Sequence, residues 1–144
     1  MTNLNKFLIF ILLLFWIGAT YTLSAHAEVH VWVSIKQQKM FVISDVQNYE
    51  WPVSTARRGY HTPSGSFRPY SLQTMHYSSK YDNSPMPYSM FFKGGYAIHG
   101  THDVKRLGTP ASHGCVRLDT TNAKILFDLM MTEGKNSVAI NIVP

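Results

Sequence analysis

Alternating apolar and polar residues predict β-strands near both ends of the chain. Every second residue of 29–35 is apolar, which is the period of a strand with one buried face. A polar turn and a second apolar run follow, so 29–44 is predicted to form a hairpin. The same alternation covers 137–143. Further extended segments are predicted at 51–55, 96–99 and 112–118.

One helix is predicted, in the C-terminal half of the chain. Its buried stripe, with i, i+3, i+4 spacing, consists of Leu126, Leu129 and Met130. We expect the helix to begin at Thr120 or Thr121, after a cap at Asp119 or Thr120, and to end at Gly134. The pattern therefore predicts a mostly β domain with a single late helix.

The middle of the chain has no clear hydrophobic period. Thr62-Pro63-Ser64-Gly65 has the composition of a tight turn. Residues 70–90 are rich in Tyr, Ser, Met and Pro and are predicted to form a long irregular lid loop. Its tyrosines would either line a pocket or cover the sheet. The candidates are Tyr77, Tyr81 and Tyr88.

The first 27 residues have the layout of a secretory signal. Lys6 precedes a thirteen-residue apolar run, and Ala25-His26-Ala27 provides small residues at the cut site. The alternative is an uncleaved anchor, but a membrane span needs about 20 apolar residues. We therefore expect a signal peptide over 1–27, and one domain over 28–144 that is exported to the periplasm or cell envelope.

Charge and cysteine content limit the kinds of partner and cofactor expected for that domain. Loss of Lys6 with the signal lowers the formal net charge from +5 to +4, a mild excess suited to an anionic wall. No nucleic-acid motif is present, and we expect a monomer. Cys115 is the single cysteine of the sequence, so an internal disulfide and a thiolate metal cluster are both excluded. We expect no metal and no cofactor.

Chemistry is concentrated around Cys115. A thiol nucleophile needs a base and backbone N–H donors for the oxyanion. If 112–117 is extended, Cys115, His113 and Arg117 share one face. Either His113 or His99 could be the base. His99 is favoured because it comes from another strand, and the Gly100 carbonyl could orient it. The alternative to a catalytic role is that Cys115 is an inert buried thiol. We expect the three other histidines of this region at the surface or in loops: His61, His76 and His102.

Several motifs together resemble the L,D-transpeptidase catalytic domain of bacterial cell walls. The resemblance covers nearly all of 29–143. Its strongest elements are Ile98-His99-Gly100-Thr101 and Ser112-His113-Gly114-Cys115-Val116-Arg117. The spacing from His99 to Ser112 is 13 residues. Supporting elements are Val53-Ser54-Thr55, His61-Thr62-Pro63-Ser64-Gly65-Ser66-Phe67 and Met86-Pro87-Tyr88.

The resemblance implies a β-sandwich or barrel-like fold and a set of roles. Cys115 would be the nucleophile, His99 its base, and the Gly100 carbonyl the third member. N–H groups of Gly114 and Cys115 would help form the oxyanion hole. Supports around the reacting atoms would be Ser112, His113 and Arg117. Independently of the resemblance, the predicted lid makes Tyr77 and Tyr88 the expected substrate contacts.

The implied reaction is acyl transfer on peptidoglycan stem peptides. Cys115 would attack the carbonyl of the L-centre before D-alanine and form a thioester, which an amine of a second stem or of a wall-anchored protein would resolve. Two alternatives stay open. One is a hydrolase of the same architecture, either an L,D-carboxypeptidase or an amidase. The other is a non-catalytic wall-binding domain.

Overall fold

The computed structural model describes residues 28–144, so the predicted signal peptide lies outside the described part of the chain. The strands are β1 (Val29–Ser34), β2 (Lys39–Ile43), β3 (Tyr49–Pro52), β4 (Gly65–Phe67), β5 (Ser71–Ser78), β6 (Ser84–Lys93), β7 (Tyr96–Thr101), β8 (Val116–Asp119) and β9 (Val138–Val143). The α-helix of this region is α1 (Thr120–Glu133), and short 3-10 helices cover Val104–Arg106 and Lys135–Ser137.

Strands from both ends of the described chain form a five-stranded sheet with the order β3-β2-β1-β9-β4. The predicted hairpin of β1 and β2 is confirmed, and β9 lies parallel to β1 on its other side. Alternation buries one face of each strand. Val29, Val31 and Val33 of β1 face Val138, Ile140 and Ile142 of β9, and all six are buried.

The middle of the chain forms a four-stranded sheet with the order β5-β6-β7-β8. Helix α1 packs mainly on β6 and β7. One hydrophobic core joins residues of both sheets with the helix, including Met40, Met90, Ile98 and Leu126. The prediction of a mostly β, sandwich-like domain with one helix is confirmed for residues 28–144. The two sheets remain separate and do not close into a barrel.

Both ends of α1 follow the predicted signals. The Asp119 side chain accepts a hydrogen bond from the Thr121 N–H at 2.8 Å, which satisfies a donor of the first turn. Gly134 ends the helix at φ +83°, a conformation that glycine adopts without strain. Leu126 and Met130 are fully buried, as the stripe predicts.

The predicted irregular lid loop over 70–90 is wrong. This segment forms most of the regular antiparallel hairpin of β5 and β6, paired from Ser71↔Phe91 to Ser78↔Ser84. Its strands escaped detection because neither alternates between buried and exposed residues. Much of β6 is buried on both faces, whereas β5 is an edge strand that is partly exposed along its length. Within 70–90, only Tyr70 and residues 79–83 at the tip lie outside the strands.

The tight turn expected at 62–65 is also absent. Thr62 is buried and Gly65 already begins β4, so the segment runs as an irregular connection into the first sheet. Among residues 28–144, no helix is both long and apolar enough to span a membrane.

Candidate active site

A cavity of about 780 Å³ opens on the face of the four-stranded sheet opposite the main core. Beneath it lies a small apolar cluster of Met86, Phe91 and Ala97, against which Cys115 packs. Four of the five polar side chains predicted for the site line this cavity, and the fifth, Ser112, does not. The four are His99, His113, Cys115 and Arg117.

Strands β7 and β8 bring the thiol and the imidazole to the same cavity. The two strands are parallel, with Ile98 opposite Val116 and His99 opposite Arg117. Ile98 enters the main core, so His99, its neighbour in the strand, points to the other face. Cys115 immediately precedes β8 and joins that face from the adjacent strand.

The segment before β8 is a bend and not the extended strand predicted for 112–118. Residues 113–115 curve into the site, and Gly114 has φ +131°. A Cβ at Gly114 would lie 2.6 Å from Tyr96 Cε1 and 2.8 Å from the carbonyl oxygen of His61. Glycine is therefore required both by conformation and by space.

The ring of His99 is fixed by the neighbouring carbonyl. Its Nδ1 lies 2.7 Å from the oxygen of Gly100. A carbonyl can only accept a hydrogen bond, so in the neutral ring Nδ1 carries the proton and Nε2 keeps its lone pair. The pKa of His99 is lowered to about 4. Burial is the main cause and the charge of Arg117 lowers the pKa further, whereas the hydrogen bond to Gly100 raises it. At neutral pH the imidazole is uncharged and able to accept a proton.

The thiol of Cys115 is also uncharged at rest. Burial raises its pKa, while a hydrogen bond from the Ala97 backbone and the charge of Arg117 partly oppose the rise. The sulfur lies 3.8 Å from the carbonyl oxygen of Gly95, within reach of a weak S–H···O hydrogen bond. Burial thus disfavours both charged forms, the thiolate of Cys115 and the imidazolium of His99.

Ser112 and Gly114 shape the bend through one hydrogen bond. The Gly114 N–H donates to the buried Ser112 Oγ at 2.9 Å. This N–H was expected to serve an oxyanion hole together with that of Cys115. The Gly114 N–H is already bound to Ser112, so the Cys115 N–H is the better candidate donor.

His113 lies between two aromatic rings. Its imidazole stacks on Tyr81 with 4.2 Å between ring centroids, and Tyr60 meets it edge-on at 4.7 Å. Arg57 and Lys80 lie over these tyrosine rings at 4.9 and 5.4 Å. The pKa of His113 is lowered, mainly by desolvation and to a smaller extent by the positive charges of Arg57, Arg117 and Lys80.

Two predicted substrate-contacting tyrosines do not reach the cavity. Tyr77 is 58% exposed on the edge strand β5. Tyr88, at φ +53°, packs on Phe127 of the helix with 5.7 Å between ring centroids. The third candidate, Tyr81, does line the cavity, together with Tyr60 and Tyr96, which were not predicted. They come from three separate parts of the chain, which no local pattern connects.

Three histidines expected at the surface or in loops also line the cavity: His61, His76 and His102. His76 is on β5, with its Nδ1 3.0 Å from Gln73 Oε1 and its ring edge-on to Phe91. Across residues 28–144, no group of three or more His, Cys, Asp or Glu side chains is placed to hold a metal ion.

Comparison with protein families and solved structures gives one consistent result. The family model described as YkuD, L,D-transpeptidase catalytic domain, matches residues 28–140. A comparison with curated protein sequences found no match.

Three solved structures illustrate the similarity of fold. An L,D-transpeptidase from Mycobacterium tuberculosis H37Rv is 20% identical with a TM-score of 0.73, covering 82% of this chain and 58% of that one. One from Stackebrandtia nassauensis is 23% identical with a TM-score of 0.70, covering 88% and 62%. L,D-transpeptidase 3 from M. tuberculosis, in complex with a faropenem-derived adduct, is 20% identical with a TM-score of 0.70, covering 82% and 61%. The chain thus spans about three fifths of each of these proteins.

Proposed function

This chain belongs to the L,D-transpeptidase catalytic-domain family, and from that premise we propose that it is an exported acyltransferase acting on peptidoglycan stem peptides. Cys115 is the nucleophile and His99 the general base. The observation that carries the proposal is that both side chains line one cavity, His99 from β7 and Cys115 from the bend immediately before the adjacent parallel strand β8. Only an imidazole with a free nitrogen can take the thiol proton, and the bond to Gly100 leaves Nε2 unprotonated.

The acylation step begins from the neutral pair. As the sulfur of Cys115 attacks the carbonyl carbon of the L-centre, its proton passes to Nε2 of His99. The carbonyl π electrons move to oxygen, and the oxyanion accepts a hydrogen bond from the Cys115 N–H. Collapse expels the amine of the D-residue, which takes the proton from His99. A thioester on Cys115 remains.

Resolution of the thioester repeats these steps with a different nucleophile. An amine of a second stem, or of a wall-anchored protein, loses a proton to His99 as it attacks, and Cys115 leaves with that proton. Water in place of the amine would give a carboxypeptidase. Cys115 is only partly buried, so water can reach it, and the amine has to compete by binding in the cavity.

Muropeptides incubated with purified protein test the reaction, with products identified by mass spectrometry. We expect cross-linked dimers and release of D-alanine, both abolished in Cys115→Ala. Trimmed stems without dimers would indicate a hydrolase. Unchanged muropeptides, with wall binding retained in Cys115→Ala, would contradict catalysis and favour a binding domain.

Carbapenem acylation tests the base separately. A related structure contains a faropenem-derived adduct, and we expect an analogous covalent adduct on Cys115. His99→Ala should slow acylation at pH 7 by roughly 10²–10⁴-fold, the usual contribution of a positioned base. The deficit should shrink at higher pH, where hydroxide forms the thiolate unaided. His30→Ala, on the other sheet, is the control. A deficit independent of pH would contradict the role of His99 as base.

A further inference from the structure

A buried hydroxyl connects two parts of the chain beneath the nucleophile. The side chain of Thr62 is 2% exposed. Its Oγ1 accepts a hydrogen bond from the Ala56 N–H at 2.9 Å and donates one to the carbonyl oxygen of Gly114 at 2.8 Å. These directions are fixed, because an amide N–H can only donate and a carbonyl can only accept. Both hydrogen-bonding roles of the hydroxyl are therefore in use.

The bond to Gly114 also determines where the next N–H points. The carbonyl of Gly114 and the N–H of Cys115 belong to one peptide group, and the described chain has no cis peptide bonds. In a trans peptide these two groups point in opposite directions. Since Thr62 holds the oxygen on the protein side, the Cys115 N–H points away from Thr62.

Rotation of this peptide would be easy without an external contact. Glycine crosses the φ/ψ map more freely than other residues, and Gly114 is at φ +131°. A flipped peptide would turn the carbonyl oxygen of Gly114 toward the substrate, where it would repel an oxyanion. The Gly114 N–H cannot substitute, because it is bound to Ser112 Oγ.

We propose that Thr62 is a positioning residue, which locks the Gly114–Cys115 peptide so that the Cys115 N–H serves as oxyanion donor. The inference rests on the proposed acyl transfer. When sulfur bonds to the acyl carbon, the carbonyl electrons move to oxygen and the sulfur proton moves to His99. The N–H held by Thr62 stabilises the negative oxygen in that step.

Two reactions of the same sulfur separate this role from a general loss of reactivity. Carbapenem acylation forms an oxyanion, whereas alkylation by iodoacetamide does not. In Thr62→Val, which keeps the shape and removes the hydroxyl, the ratio of acylation to alkylation rates should fall roughly 10²–10³-fold, the usual effect of losing an oxyanion donor. Thr62→Ser should restore the ratio to within a few-fold of the unmodified protein.

The matched control is Thr55→Val. Thr55 is also fully buried, and its hydroxyl accepts a hydrogen bond from Gln38 Nε2 at 2.6 Å. Thr55 contacts Ser112 through its backbone carbonyl, which the substitution keeps. We expect the rate ratio to be unchanged in this variant. A ratio in Thr62→Val within a few-fold of the control would overturn the proposal.

Amide hydrogen exchange of the unmodified protein tests the geometry without any variant. The Cys115 amide should exchange much faster than the Gly114 amide, which is bound to Ser112, and should become protected once a carbapenem is attached. Equal protection of both amides in the free protein would overturn the proposal, even if Thr62→Val does not fold. A protein that is alkylated but never acylated, with the expected exchange pattern, would instead contradict the acyl-transfer function and leave the orientation of the peptide supported.

Discussion

Among single residues, His99 is placed in an environment that opposes its charged form. The ring is 6% exposed, and burial disfavours the imidazolium more strongly than the Gly100 carbonyl stabilises it. A base with such a low pKa accepts a proton only transiently, while a bond is being formed. This suits a mechanism in which proton transfer accompanies attack, and it keeps the resting thiol protonated and less open to oxidation.

Stability should depend on pH through the same histidine. The ordinary pKa of 6.5 is lowered to about 4 in the folded protein, so between these values the unfolded chain binds a proton that the folded chain does not. The free energy of unfolding should therefore fall as pH is lowered from 6.5 to 4, by up to about 3 kcal/mol from this residue. His99→Gln should lose this part of the dependence, measured by urea denaturation at each pH.

His113→Gln provides the comparison for that measurement. The pKa of His113 is lowered in the same direction, but its partly exposed ring is screened by solvent, so the change in slope should be smaller. If the unmodified protein and His99→Gln show the same slope between pH 4 and 6.5, residue 99 is not buried as a neutral imidazole.

Sequence reasoning could identify Cys115 and His99 as candidates, because the chemistry of a thiol limits its partners to a few residue types. It also named Tyr81 as a candidate to line a pocket, but it gave Thr62 only a place in a predicted tight turn. Their contacts to the bend at 113–115 are distant in sequence: Thr62 bonds to Gly114, 52 residues away, and Tyr81 stacks on His113. No local spacing encodes such contacts.

At the scale of elements, the hydrophobic period of the sequence predicted the strands and the helix that bury only one face. β1, β9 and α1 all separate core from solvent and were correctly predicted. β6 failed this test because Met90 and Phe92 enter the main core while Phe91 lies under the cavity on the other face. A strand with two buried faces has no period for a sequence pattern to detect.

The tip of the hairpin of β5 and β6 contacts the bend at 113–115. Tyr81, at the tip, stacks on His113 with an interplanar angle of 10°. The two residues that follow, Asp82 and Asn83, both have positive φ, and the Ser84 N–H donates to the Tyr81 carbonyl at 2.9 Å, as in a type I′ turn. The tip is thus shaped to place one aromatic ring against the residue two positions before Cys115.

Loss of that ring should weaken the positioning of the turn. An aromatic stack contributes about 0.5–1.5 kcal/mol, so Tyr81→Ala should lower the second-order rate constant of carbapenem acylation by roughly 2- to 10-fold. Tyr81→Phe should retain the rate, since the stack needs the ring and not the hydroxyl. Tyr77→Ala, on the same hairpin but outside the cavity, is the control. Equal effects of the two alanine substitutions would mean that the stack has no specific role.

At the scale of the whole molecule, the two faces of the four-stranded sheet have different tasks. One face is covered by α1 and the main core, and the other carries the cavity with its thiol and histidines. Alternation along β7 makes this division possible, because Ile98 anchors the strand in the core while His99 is presented to the cavity. The position of the reacting groups is therefore determined by the packing behind them.

Strand β1 limits where the predicted processing could occur without loss of core residues. Val29 is fully buried and pairs with Val138, so β1 needs residue 29 for its register and for the core. A cut after Ala27 would leave the whole strand in the mature protein. A cut only a few residues later would remove Val29 from the core, at a cost of roughly 1.5–3 kcal/mol for the lost burial.

We therefore expect the mature protein to begin at Glu28 and to be found in the cell envelope. N-terminal sequencing of protein from envelope fractions should give Glu-Val-His-Val, and replacement of both Ala25 and Ala27 by leucine should block processing, because the cut requires small side chains. The control is Ala19→Leu, which lies in the apolar run and leaves the cut site intact. Intact Met1 on the bulk of the unmodified protein would contradict cleavage and indicate a retained anchor.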